Sequence, residues 1–74
     1  MKGLIKDEPI LQLIAELCGY DDIEEYLDDT VGFVGVMLTM YSKIYKVLYI
    51  EEDCYVELDK GYCWPIEAVI LMED

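Results

Sequence analysis

Histidine and arginine are both missing from this chain of 74 residues, and only five lysines are present. Without histidine there is no imidazole to act as the usual general base near neutral pH. Without arginine there is no guanidinium group for bidentate binding of phosphate or carboxylate groups. A chain this short also has little material for a walled substrate cleft. These absences predict a protein that is not an enzyme.

Cysteine is scarce, and its number and spacing argue against a set of paired disulfides and against a zinc site. Cys18, Cys54 and Cys63 are odd in number and lack the Cys-x-x-Cys spacing of zinc sites. The sequence therefore predicts free thiols, no metal or other cofactor, and a cytoplasmic protein. Cys18 lies on the apolar stripe of a predicted helix and Cys54 alternates with Val56 and Leu58, so we expect both in the core. Cys63 is the candidate for an exposed thiol.

Long uninterrupted apolar runs are also missing. The first residues begin like a secretion signal, but the charged residues at 6–8 and Pro9 end the apolar segment after two positions. The apolar stretch at 31–50 contains Lys43 and Lys46, which a membrane-spanning helix would have to bury. We therefore expect neither a secretion signal nor a membrane span.

Negative charge is what the chain has in excess. Seventeen Asp and Glu residues against five lysines give a formal net charge of −12, although 55% of the residues are hydrophobic. The apolar content and the seven tyrosines predict a folded chain rather than a disordered one. The length predicts one domain over residues 1–74. Direct binding to nucleic acid is not expected, because the phosphate backbone repels such a chain.

The first third of the chain has helical periodicity. A stripe at i, i+3, i+4, i+7 and i+8 consists of Ile10, Leu13, Ile14, Leu17 and Cys18. This stripe predicts the buried face of a first helix, which starts near Pro9 and ends before Gly19. Asp22, followed three residues later by Glu25, has the pattern of a capping box and predicts a second helix to about Asp29.

From residue 30 onward the pattern changes to β-branched and aromatic residues in alternation, which is typical of strands. The predicted strands are 33–41, 44–50, 55–58, 62–64 and 70–72, with a 3₁₀ turn over 66–69. The predicted fold class is therefore α+β. An N-terminal helical hairpin (1–29) is expected to pack on a small five-stranded antiparallel barrel (30–74).

Residues 31–71 also carry a family pattern: two glycines three residues apart, a tyrosine-rich hairpin and a closing Leu-Asp-x-Gly-x-x-Trp-Pro segment. The matching residues are Gly32, Gly35, Val36, Tyr45, Val47, Tyr55, Leu58, Asp59, Gly61, Trp64, Pro65 and Glu67. The pattern resembles the SH3-like barrels of small phage and bacterial proteins. This resemblance implies an adaptor or accessory module that binds rather than catalyses. It also implies an aromatic groove for proline-rich peptides, for which Tyr41, Tyr45 and Trp64 are the candidates.

The strongest local signal is a run of carboxylates without any base among them. Within nine residues the chain places Asp21, Asp22, Glu24, Glu25, Asp28 and Asp29. Like charges at helical spacing cost roughly 0.2–0.5 kcal/mol per pair. Because a helix rises about 1.5 Å per residue, the charges approach one per roughly 2 Å, close to the roughly 1.7 Å of duplex DNA. The run therefore predicts phosphate mimicry, with a solvated face that serves only solubility as the alternative.

A second acidic cluster occupies the turn of a predicted hairpin and consists of Glu51, Glu52 and Asp53. If this turn lies beside the second helix, the acidic surface doubles. Neither cluster has the Asp-x-Asp-x-Asp-Gly order of a calcium loop, so no metal is expected at either.

Size and charge together make the chain similar to small acidic phage inhibitors of the anti-CRISPR and anti-restriction type. We therefore predict a phage-encoded or mobile-element-encoded inhibitor that acts in the host cytoplasm and occupies a basic nucleic-acid-binding surface of a host protein. The alternative is an SH3-like adaptor for protein–protein interaction whose charge serves only solubility. Homodimerisation through a free strand edge is a further possibility that the sequence leaves open.

Overall fold

The computed structural model describes residues 1–33, 35–52 and 54–73, and its architecture is α+β. Two helices and two 3₁₀ helices in the described residues pack against one antiparallel sheet. The strands are β1 (Lys2–Ile5), β2 (Ile44–Glu51), β3 (Tyr55–Leu58), β4 (Cys63–Pro65) and β5 (Val69–Met72). The helices are α1 (Glu8–Leu17), α2 (Ile23–Thr30), a first 3₁₀ helix (Gly35–Thr39) and a second 3₁₀ helix (Ile66–Ala68).

The five strands are ordered β4-β3-β2-β1-β5, and every neighbouring pair is antiparallel. Strands β4 and β5 are therefore the two edges, and the sheet over the described residues is open rather than closed into a barrel. The second 3₁₀ helix connects these two edge strands. The register between β2 and β3 shifts between Val47 and Tyr49, which marks a β-bulge in β2.

The placement of the strands corrects two predictions. Strand β1 precedes both helices, so residues 1–29 are not purely helical, and the helices are inserted between β1 and β2. The predicted strand 33–41 is wrong, because residues 35–39 form the first 3₁₀ helix. In that segment the Thr39 hydroxyl donates to the carbonyl of Val36 at 2.6 Å, a local bond that competes with pairing. Strand β1, rather than the predicted strand 33–41, pairs with β2, with Lys2 opposite Lys46 and Leu4 opposite Ile44.

Most of the other element predictions are confirmed to within one or two residues. The predicted 3₁₀ turn before the last strand is present. The carboxylate of Asp22 accepts a hydrogen bond from the backbone N–H of Glu25 at 2.8 Å and so caps α2 as expected. Pro9 lies in the first turn of α1, and Gly19 follows the helix with a φ of 92°, a conformation that glycine adopts without strain.

The predicted buried face of α1 is wrong. Leu11 and Ala15 are fully buried, whereas Ile10, Leu13 and Leu17 of the predicted stripe are exposed, Leu17 by 82%. Leu11 and Ala15 lie four residues apart and share one face of the helix beside the predicted stripe, and Ile14 of that stripe is partly buried against the core.

The thiols also differ from expectation. Cys18 and Cys54 are exposed rather than buried in the core, and Cys63 is half-buried. Cys54 lies before the first residue of β3, so it does not share the alternation of that strand.

The core contains residues from the strands, from the two α-helices and from both 3₁₀ helices. Its buried members are Ile5, Leu11, Ala15, Ile23, Tyr26, Leu27, Met37, Met40, Val47, Val56, Leu58, Trp64, Ala68 and Val69. The inner face of the sheet and the inner faces of the two helices both contribute, so the helices cover one face of the sheet and leave the other face to solvent.

Gly3 is the point of closest packing in the sheet. A Cβ atom at this position would lie 2.7 Å from Cγ1 of Val69 and 3.1 Å from Cγ2 of Val47. We expect Gly3→Ala to lower the free energy of unfolding by about 1–3 kcal/mol, because both neighbours are held in the core. Gly35→Ala is the matched control, since a Cβ there meets nothing within 4 Å. Urea unfolding of both variants measures the difference, and equal stabilities would contradict the position of β1.

Candidate functional site

The acidic run of α2 lies on the surface, as a binding role requires. All six carboxylates at positions 21–29 are exposed, while Ile23, Tyr26 and Leu27 of the same helix are buried. Asp22 is engaged in capping, and Asp29 accepts a hydrogen bond from the hydroxyl of Tyr20. This hydrogen bond raises the pKa of Tyr20. Partial desolvation of the Tyr20 hydroxyl and the negative charge of Asp29 raise it further. Within the described part of the chain no lysine forms an ion pair with these carboxylates.

The fold brings a further carboxylate to the same helix. The buried ring of Tyr26 directs its hydroxyl to Oε1 of Glu67, to which it donates a hydrogen bond of 2.5 Å. Burial raises the pKa of Tyr26, and the hydrogen bond to Glu67 raises it further, so the phenol remains a donor at neutral pH. Glu67 belongs to the second 3₁₀ helix, 41 residues away in sequence. Sequence patterns carry no signal for this approach, because it depends on the packing of α2 against the end of β4.

The second 3₁₀ helix also touches the turn that carries the other acidic cluster. The backbone N–H of Ile66 donates to the carbonyl of Cys54 at 3.1 Å. Glu51 is half-buried at the end of β2, and Glu52 is exposed with a φ of 46°. Asp53 lies outside the described residues. The second 3₁₀ helix is therefore in contact both with α2, through Tyr26 and Glu67, and with this turn.

A polar cavity of about 240 Å³ opens between α1 and the start of α2. It is lined by Glu8, Gln12, Asp22, Ile23, Glu24, Leu38 and Tyr41. The hydroxyl oxygen of Tyr41 is buried and has no hydrogen-bond partner among the described residues. Burial raises the pKa of Tyr41, and the charges of Glu8 and Glu24 raise it further, so both glutamates act on this phenol. We call the exposed carboxylates of positions 21–29, together with Glu8 and Glu67, the acidic face.

The lining of this cavity combines an apolar wall with carboxylates. Among the residues that the structure describes, no group of three carboxylate or thiol side chains converges closely enough to hold a metal. An apolar wall with carboxylates around it instead matches a lysine or arginine side chain, which buries its aliphatic stem and leaves its charged end near the rim. Leu38 and Tyr41 provide such a wall, and Glu8 and Glu24 provide charge.

The predicted aromatic groove of Tyr41, Tyr45 and Trp64 is not formed. Trp64 is fully buried in the core, and Tyr41 lines the polar cavity described above. Tyr45 lines a different and mostly apolar cavity of about 290 Å³. The residues of that cavity are Val36, Thr39, Met40, Tyr45, Lys60 and Tyr62. Sequence reasoning missed it because three of its six lining residues lie at positions 36–40, in or just after the first 3₁₀ helix, in a segment predicted as a strand.

In the described ranges, no helix has both the length and the apolar character needed to cross a membrane. Comparison of the chain with protein-family models, with curated proteins and with solved structures finds no match.

Proposed function

We propose that this chain is a non-enzymatic inhibitor that uses its acidic face to occupy a basic nucleic-acid-binding surface of another protein. The observation that supports this most strongly is the exposure of all six carboxylates of positions 21–29, with no lysine of the described residues paired to them. Such a cluster lowers the stability of its own helix through repulsion between like charges. A basic partner surface relieves that repulsion on binding, so the cluster contributes more to a complex than to the free protein.

The tertiary structure supports an acidic surface that includes residues from outside α2, rather than a single row of carboxylates along that helix. Glu67 is held beside α2 by Tyr26, and Glu8 lies with Asp22 and Glu24 around the polar cavity. In this proposal the cavity receives one lysine or arginine side chain of the partner, and the carboxylates of α2 contact others at the rim. Glu52, which is exposed in the turn that the second 3₁₀ helix contacts, extends the surface, whereas Glu51 lies on the outer side of the sheet. Charges of this kind increase the rate of association and are screened by salt.

The fold is consistent with a small binding module of the SH3-like type. Five short strands, a bulge in β2 and a 3₁₀ helix before the last strand support its description as an opened barrel of that type. By analogy of size and charge with anti-CRISPR and anti-restriction inhibitors, we propose a phage or mobile-element origin and action in the host cytoplasm.

The acidic face is tested by a variant that removes charge without removing hydrogen bonds. Asp21→Asn, Glu24→Gln and Asp28→Asn are combined, because these side chains are exposed and neither cap α2 nor accept from Tyr20. The partner is first captured from nuclease-treated bacterial lysate at about 0.1 M and about 0.5 M salt. We expect the triple variant to bind that partner at least about tenfold more weakly, at roughly 1.4 kcal/mol per factor of ten.

The control variant has the same net charge. Glu57→Gln in β3, Asp59→Asn after β3 and Glu73→Gln after β5 also remove three negative charges, from positions outside the acidic face. Three results together support the proposal. The control binds the partner with unchanged affinity, and the acidic-face variant binds it weakly. The unmodified protein displaces nucleic acid from the partner. Equal affinities of both variants would show that the cluster serves only solubility.

The apolar cavity supports a second candidate function, that of an adaptor for protein–protein interaction. Tyr45, Tyr62 and Met40 offer aromatic and apolar surface with Lys60 at the wall. Under this alternative Tyr62→Ala abolishes capture of a partner whose recovery does not depend on salt, and the acidic triple variant retains that partner.

A further inference from the structure

The sheet has an outer face that no described helix covers. Its first row runs across β5, β1 and β2 as Met72, Lys2 and Lys46, and its second row as Ile70, Leu4 and Ile44. Residues directly opposite each other on neighbouring strands lie on the same side, and the inner positions between these rows face the core. Ile44 is exposed by 57% and Ile70 by 46%. The outer face is therefore an apolar surface that carries two lysines.

The bulge in β2 enlarges this apolar surface. Val47 pairs with Leu58 and Ile50 pairs with Val56 on the inner side, so both residues between them turn outward. Leu48 is exposed by 55% and Tyr49 by 51%. A regular strand would have turned one of these two side chains inward, and the bulge instead places two large apolar side chains side by side on the outer face.

The charges of the outer face are divided between its two ends. Lys2 and Lys46 are directly opposite in register, and neither forms an ion pair with a carboxylate of the described residues. Like charges in this position are destabilising, and the chain contains far more carboxylates than lysines. Beyond the bulge, the outward positions of β2 and β3 carry carboxylates, with Glu51 opposite Tyr55 and Glu57 opposite Tyr49. One end of the face is therefore positive and the other is negative.

We infer that this outer face binds a second copy of the same chain in a twofold-symmetric dimer. Lys46 and Glu51 lie at equal sequence distances on either side of the bulge at Leu48 and Tyr49. When a second β2 is laid antiparallel over the first, the lysine end of each copy lies over the glutamate end of the other. An interface in which the same surface of both copies is used forms a closed dimer and does not lead to longer assemblies.

The apolar centre and the charged ends have separate roles in this dimer. Leu48, Tyr49, Ile44 and Ile70 lose contact with water when the two outer faces stack, as the inner faces of two packed sheets do. The pairing of Lys46 with Glu51 of the second copy selects the antiparallel orientation and relieves the repulsion between Lys2 and Lys46. The acidic face lies on the helical side of the sheet and remains free, so the dimer does not depend on the proposed function.

A charge exchange between two variants tests the orientation directly. In Lys46→Glu a glutamate at position 46 lies over Glu51 of the second copy, and in Glu51→Lys a lysine at position 51 lies over Lys46 of the second copy, so each variant places like charges at this contact. We expect each to dimerise at least about tenfold more weakly than the unmodified chain, and an equimolar mixture to recover the dimer to within about threefold. Sedimentation velocity at about 0.15 M salt measures the association. Circular dichroism confirms that each variant is folded.

The apolar centre is tested by a matched pair of exposed leucines. Leu48→Gln is expected to dissociate the dimer, whereas Leu17→Gln, on the exposed stripe of α1, is expected to leave it unchanged. A chain that stays monomeric up to about 1 mM, well above the range of stable homodimers, would overturn the inference. So would dimerisation of both charge variants at the level of the unmodified chain, a mixture that stays monomeric, or a dimer that Leu17→Gln alone dissociates.

Discussion

Replacing Trp64 by alanine is expected to lower the free energy of unfolding by about 3–5 kcal/mol. Trp64 is fully buried on the inner side of β4, where it pairs with Val56. A domain of 74 residues has a total stability of roughly 4–11 kcal/mol. Loss of the indole ring therefore removes a large share of the total, and at the lower end of that range a substantial fraction of Trp64→Ala is unfolded near room temperature.

The comparison with phenylalanine separates volume from polarity at this position. The indole Nε1 of Trp64 is buried without a hydrogen-bond partner among the described residues. Trp64→Phe therefore loses no hydrogen bond and retains much of the aromatic volume, and we expect it to cost about 1–2 kcal/mol. Urea unfolding followed by far-ultraviolet circular dichroism measures both variants. A loss under about 1 kcal/mol for Trp64→Ala would contradict the position of this ring in the core.

The second large effect is expected at Leu11 in α1. Leu11 is fully buried, and Leu11→Ala is expected to lower the free energy of unfolding by about 2–5 kcal/mol. Leu17→Ala removes the same atoms from a side chain that is mostly exposed, so its expected effect is within about 0.5 kcal/mol.

This pair of variants distinguishes the two apolar stripes of α1. Helix propensity does not separate them, because the substitution is leucine to alanine at both positions. Thermal and urea unfolding of the two variants under identical conditions measures the difference. If Leu17→Ala were the more destabilising of the two, the stripe predicted from the sequence would be the true contact with the core.

Local signals in the sequence were sufficient to predict the ends of the helices, because the residues at those ends act directly on the neighbouring backbone. The carboxylate of Asp22 caps α2, Pro9 begins α1 and Gly19 ends it, because each side chain or its absence acts on its own backbone. The exposure of the acidic run also follows from composition, since unpaired carboxylates are rarely buried. The early strand was missed because Lys2–Ile5 is short, contains a glycine and resembles the start of a secretion signal.

The candidate site was predicted only in part. The carboxylates of α2 are contiguous in sequence, and their shared surface follows from helical geometry. Glu67 and Glu8 join them through contacts between segments far apart in the chain, and the polar cavity exists only where α1 and α2 meet. The aromatic groove failed as a prediction because aromatic residues on strands serve the core and the surface equally well, and Trp64 serves the core.

By itself the sequence determined the α+β class, the two helices with their ends, most of the strands and the acidic run, since caps, turns and periodicity act over a few residues. The tertiary structure decided which stripe of α1 is buried and where β1 pairs, and it decided which side chains of β2 turn outward at the bulge. Those choices depend on the free energy of packing one segment against another. The sequence does not distinguish two neighbouring apolar stripes of nearly equal hydrophobicity, because the choice between them depends on the shape of the core surface that packs against the helix.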